Sequence, residues 1–341
     1  MLGHSGLFGK ADVVVNILLS MCIAAAYVLG SHMLPQSYVS AEAALSIDAP
    51  FVYRLLLPYG LGLVCSPQVL DSFLLRFSVA AVSVFVILAW LPAYLRRMSF
   101  GNVEASFHGV LVQVAGAAVL CAHYVLPHRF HFYYIYDLPA IVFYLALFLC
   151  LTSEHPWRWW AALPLAAILS LNRETVVVAV LHALMLNWTV SKDGLPGKFK
   201  LLAQSAALVA VVALVRLAVM SAISAPHGEV AEYMDGQDIR LLANLRRVAG
   251  QVQHTVTIAY FGFGLLVWLP MVWSKLPRAM RQLFQWSLLP MGLLFVVGNP
   301  TELRIFNEFV PLFAVGLAVF LGTRLPGRWL ALLNHRPATS H

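Results

Sequence analysis

Charge is what this chain has least of. Only 11% of its 341 residues are Asp, Glu, Lys or Arg, whereas soluble domains carry about 25%. So little charge excludes a water-facing surface over most of the chain. Cysteine is scarce too. Cys22, Cys65, Cys121 and Cys150 stand apart, with no CxxC and no Cys/His metal spacing. That excludes a disulfide framework and a zinc module, and the four read as small buried hydrophobes. There is no internal repeat, no low-complexity stretch and no acidic or basic tail. The net charge of +7 comes from basic residues in short loops, which argues for a topology signal and against nucleic acid.

What is present is apolar and long. Hydrophobic residues make up 61% of the chain and the mean hydropathy is +0.80. Apolar segments fall at about 12–34, 70–94, 105–126, 135–152, 159–172, 174–190, 200–224, 255–274, 283–298 and 305–323. Their lengths suit helices, not alternating barrel strands. The expected fold is all-α: one polytopic transmembrane domain over 1–341 with about ten transmembrane helices. The first segment reads as an uncleaved helix. The stretch near 51–64, "FVYRLLLPYGLGLV", is short and broken by Arg54 and Pro58. It is expected to be re-entrant or interfacial.

The stretch "LSLNRETVVV" (170–179) places Asn172, Arg173, Glu174 and Thr175 inside an apolar run from about 159 to 190. One crossing there sets the basic loops on inconsistent sides. Two crossings, with a break at "NRET", put "RRM" (96–98), "SKDGLPGKFK" (191–200), "SKLPRAMR" (274–281) and the basic C-terminus together on the cytoplasmic side. The acids agree. Asp12, Glu104, Glu154 and Asp193 fall inside, and the other 11 of the 15 fall outside. Both termini are then cytoplasmic, with external loops at about 35–69, 127–135, 225–254 and 299–304. The first half of the broken pair, about 14 residues at 1.5 Å each, is about 21 Å long, shorter than the ~30 Å hydrocarbon core. "NRET" is therefore expected at the bottom of an outward-facing depression.

Several polar residues on that face have ordinary structural readings. The aromatics around 130–136 suit an interfacial belt. Asp137, two residues before Pro139, suits a helix N-cap with proline in the first turn. Asn299-Pro300-Thr301-Glu302 resembles a capping box. Arg304 and Glu308, four apart, suit a pair on one helix face. Arg246 and Arg247 suit a solvated helix end. Arg173 and Glu174 can neutralise each other. Against these stands the cost of charge in a membrane, ~2.5–3.5 kcal/mol per residue on insertion scales. Arg54, Arg173 and Arg304 all fall at outer ends of apolar segments, as do Glu174, Glu302 and Glu308. Several guanidinium groups at one depth suit a phosphate or diphosphate, and a nearby carboxylate suits a general base.

Three features carry a family resemblance. They are the acidic first external loop "AEAALSIDAPFVYR", the later loop "EVAEYMDGQDIRLLANLRRV" and the arginines at the outer face. Together they resemble polytopic bacterial envelope glycosyltransferases of the GT-C type and the polysaccharide polymerases that share their plan. "PFVYRLLLP", "LNRET" and "ELRIFNEFVP" are also similar to segments of bacterial membrane proteins of this length. The resemblance implies a base at Asp48 or Glu42, with Glu174 a further catalytic candidate. It implies a polyprenyl-linked sugar as donor and a glycan, lipid or protein as acceptor, at the bacterial inner membrane. Arg54, Arg173, Arg246, Arg304, Asp137, Glu302 and Glu308 are then candidate substrate-binding residues. No spacing specifies a cofactor or a metal; a divalent metal is compatible with such transfer. The alternative is a transporter or flippase for an anionic solute or lipid-linked glycan, with "NRET" as a broken helix holding an ion. Against that alternative, "VVVAVLHALML" continues inward from "NRET" with only His182 polar.

Overall fold

The computed structural model describes residues 10–31, 38–45, 54–99, 109–126, 133–191, 194–223, 244–246, 250, 260–297 and 303–324. Among these residues there is no strand. In chain order the helices are α1 (Lys10–Gly30), the short α2 (Tyr38–Ala43), α3 (Pro58–Gly62) and α4 (Pro67–Leu70), then α5 (Phe73–Ser99), α6 (Gly109–Tyr124), α7 (Asp137–Leu151), α8 (Arg158–Ser170), α9 (Val177–Val190), α10 (Leu195–Ala222), α11 (Leu265–Val272), α12 (Arg278–Val297) and α13 (Val310–Arg324). Each apolar segment of the sequence carries one of the ten longer helices. Four stretches, Val13–Gly30, Phe73–Met98, Leu195–Ala222 and Phe306–Arg324, are long and apolar enough to cross a membrane. Gly109–Tyr124, Asp137–Leu151, Glu174–Val190 and Leu265–Lys275 are shorter apolar helices.

The helices differ in how deeply they sit. In the apolar window of α13, 78% of residues are buried, against 22% for α10. So α13 is the central post and α10 a peripheral stave. Gly316 lets the post be approached closely. A Cβ there would stand 2.8 Å from the Trp268 ring and 2.9 Å from the Phe284 ring. The peripheral faces are apolar and uncovered: Leu18 and Leu29 on α1, Leu214 and Leu217 on α10, Leu288 and Leu289 on α12 are 60–71% exposed. Water does not tolerate such continuous apolar surface, whereas lipid does.

Three expectations need correcting. The cysteines are all free but not fully buried: Cys22 is exposed, and the half-buried Cys65, Cys121 and Cys150 pack against the edge of the core. The segment at 255–274 yields only the eight-residue α11 among its described residues. Gly262, Phe263 and Gly264 all take positive φ (55°, 56° and 76°) and turn the chain just before it; left-handed backbone ends a helix. Tyr133, Tyr134 and Tyr136 are buried, not part of an exposed belt. Tyr27 packs against Tyr124 and Tyr133 at 5.1 Å, and the Tyr133 hydroxyl donates to the Arg76 carbonyl at 3.0 Å.

Candidate functional site

The site is built around the break at "NRET". Helix α8 ends at Ser170. Arg173 is fully extended (φ −153°, ψ 138°), and a 3-10 turn, Glu174–Val176, leads into α9. A broken helix leaves carbonyls without intrahelical partners. That of Leu171 accepts the backbone N–H groups of Leu55 (2.8 Å) and Leu56 (3.2 Å). The segment before α3 is thereby held against the break and brings Arg54 to it. From a third side, the Asn172 side chain donates to the Tyr136 carbonyl at 3.2 Å, tying the break to the start of α7. From a fourth, Asn307 of the turn Leu303–Phe309 donates to the Asp137 carbonyl at 3.1 Å and accepts from the Tyr124 hydroxyl.

The charges then sort by depth. Asp137, Asn172, Asn307 and Glu308 form a buried floor. Arg173, also buried, lies 3.6 Å from the Asp137 carboxylate. The Glu308 carboxylate accepts from the Thr175 hydroxyl and feels the Arg173 charge. Nearer the surface, the half-exposed Glu174 side chain pairs with Arg216 of α10 at 3.2 Å, with Arg54 and Arg173 acting on it electrostatically. Arg54 donates to the Tyr136 hydroxyl and lies 4.4 Å above that ring. A cation over an aromatic face is attracted by the ring quadrupole.

The structure thus gathers Arg54, Asp137, Arg173, Glu174 and Glu308 into one cluster. It overturns two local readings. Arg173 and Glu174 are not each other's partner, because the extended residue at the break sends their side chains apart, to Asp137 and Arg216. Asp137 is not the N-cap of α7; it is the first helical residue, after Tyr136, and its carboxylate turns to Arg173. Asp48 and Glu302 lie outside the described residues, as do the side chains of Glu42 and Arg304. Arg246 is exposed on the short helical piece 244–246, and none of the described contacts joins it to the cluster. Arg216 and Asn307 were not singled out in the sequence, and Tyr136 and Thr175 were read there only as part of the aromatic stretch and of the break. Arg216 did carry a signal: beyond Lys200 it is the one charge in the rest of a 28-residue apolar helix, and such a residue is functional by default. Among the described residues no group of three or more His, Cys, Asp or Glu is placed to hold a metal ion.

A second polar feature runs from this level into the bundle. Ser287 gives its only proton to the Leu283 carbonyl at 2.7 Å, so His182 Nε2 is the donor to Ser287 Oγ at 2.9 Å. His182 Nδ1 then accepts from the Tyr144 hydroxyl at 2.7 Å, and Tyr144 accepts from Tyr94 at 2.8 Å. Counting protons fixes both the tautomer and the direction of the chain. All four side chains are buried, walled by Phe148 and Phe309.

Comparison with protein-family models, with curated proteins and with solved structures finds no match to this chain.

Proposed function

We propose that this chain is a bacterial inner-membrane glycosyltransferase or glycan polymerase. In this reading it crosses the membrane about ten times with both termini cytoplasmic, and it takes a polyprenyl-linked sugar at its outward face. The observation that carries the reading is that Arg216 pairs with the half-exposed Glu174 carboxylate and Arg54 acts on the same carboxylate. Arg173 is taken up by the buried acids, so contact with the ligand falls to Arg54 and Arg216. Guanidinium groups bind a phosphodiester, the linkage of a monophosphate-linked sugar, through charge-assisted hydrogen bonds. In the transfer step an acceptor hydroxyl attacks the anomeric carbon. The bond from that carbon to the lipid phosphate oxygen breaks, and the phosphate leaves with the electron pair toward Arg54 and Arg216. The hydroxyl proton passes to a carboxylate, Asp48 or Glu42 of the first external loop or Glu174 itself.

The test is transfer by purified full-length protein in liposomes, supplied with labelled polyprenyl-phosphate sugars and a glycan acceptor. Arg54→Gln and Arg216→Gln should each lower turnover on the order of 10²-fold, the usual cost of removing one donor to developing charge. Full turnover in both variants, or no product from the unaltered protein, contradicts the proposal. The transporter reading is favoured by one observation, the polar chain from Tyr94 to Ser287. That chain is closely packed, so it suits a proton rather than a solute. Solute uptake by reconstituted protein with no glycan product would support it.

A further inference from the structure

The opposite end of the bundle holds a cleft of about 820 Å³ between α8, α9 and α10, within the range of ligand sites. Its lining changes character steadily in one direction. On α10, Lys200 gives way to Gln204 and then to Ala207 and Leu208, positions four and seven or eight apart on one helical face. On α8, Arg158 at the helix start gives way to Leu163. The cleft is therefore basic at its mouth, amide-lined below and apolar at its inner end, which is the profile of an amphiphile and not of a soluble anion.

Charge and depth point the same way. Arg158 is held in place: its guanidinium donates to the Ser153 carbonyl at 2.5 Å and lies 5.7 Å from the centre of the Trp159 ring. Among the described residues Glu154 is the one acid lining the cleft, and it faces Arg97 at 3.9 Å. The mouth is thus net positive. Trp157 and Trp160, 56% and 76% exposed, stand beside it, and indoles mark the headgroup level of a bilayer. Beyond the cleft, α10 continues with exposed Leu214 and Leu217, a surface along which acyl chains can lie.

We infer that this cleft binds one anionic phospholipid, with its phosphate between Arg158 and Lys200, its headgroup hydroxyls toward Gln204 and Asn187, and its chains along α10. The inference rests on the chain being a membrane protein, and it is independent of glycosyl transfer. Basic pockets between helices on the cytoplasmic side are suited to such headgroups.

The test is native mass spectrometry of the full-length protein in detergent, titrated with phosphatidylglycerol, phosphatidylcholine or inorganic phosphate. Phosphatidylglycerol should bind at least about tenfold more tightly than phosphatidylcholine, and Lys200→Gln should weaken it about fivefold, the share of one basic residue at a membrane surface. Lys200 is exposed, so this variant keeps the fold even if Arg158→Gln disturbs the start of α8. Equal binding of the two lipids, unchanged affinity in Lys200→Gln, or displacement by millimolar inorganic phosphate overturns the inference. A chain recovered in the membrane fraction without lipid preference sinks this inference alone. A chain recovered as soluble protein without detergent sinks the membrane reading as well.

Discussion

Asp137 and Arg173 are both buried, 3.6 Å apart, so each matters chiefly as the other's partner. Removing one member of a buried pair strands the other as an uncompensated charge, at a cost of about 3–5 kcal/mol. Asp137→Ala should cost that much, read by thermal or denaturant unfolding in detergent. Asp137→Asn combined with Arg173→Gln should recover part of the loss, because the two charges leave together while the buried Glu308 loses its cation. A double variant as unstable as the sum of its parts would show that the two do not act as a pair. Arg173→Ala is therefore a stability variant first. Activity tests belong on Arg54 and Arg216, which act on the half-exposed Glu174. None of this pairing could be read from residue spacing. Arg173 and Glu174 are adjacent in sequence, and only the extended conformation at the break separates their partners.

Among the elements, α13 carries the bundle, and Gly316 is where its neighbours come closest. A methyl at Gly316 meets two aromatic rings at 2.8 and 2.9 Å. Rings have no flexible end to swing away, so Gly316→Ala should destabilise by about 1–3 kcal/mol through overpacking. Gly60, where a Cβ meets nothing within 4 Å, is the control, and Gly60→Ala should change unfolding little. Equal effects at the two glycines would remove the close-packing account of α13. The broken helix was legible because four consecutive polar residues interrupt an apolar run, and charge in such a run demands a reason. The shortening of α11 was not legible from hydropathy: "YFGFGLLVWLP" is apolar throughout, and the left-handed turn at Gly262–Gly264 is a property of the backbone. Glycine permits that turn without requiring it.

At the scale of the molecule, the apolar faces look outward and the charges gather at the two ends. Helix α8, 13 residues or about 20 Å, and α9, 14 residues or about 21 Å, fall short of a ~30 Å hydrocarbon core. The break between them thus sits below the level reached by the 28-residue α10, whose Arg216 comes down to meet it. The break itself was legible in the sequence, because four polar residues interrupt the apolar run between two short helices. The partners that line it come from Arg54, the start of α7, the late part of α10 and the turn before α13, and their meeting depends on a tertiary arrangement that no local pattern encodes.

The central claim is that Arg54 and Arg216 hold a lipid phosphate at this end. It is tested most directly by the affinity of the purified full-length protein for a polyprenyl phosphate. Arg54→Gln and Arg216→Gln should each weaken binding at least about tenfold, since a charge-assisted contact to phosphate contributes about 1.5–3 kcal/mol. Unaltered affinity in both arginine variants would contradict the account.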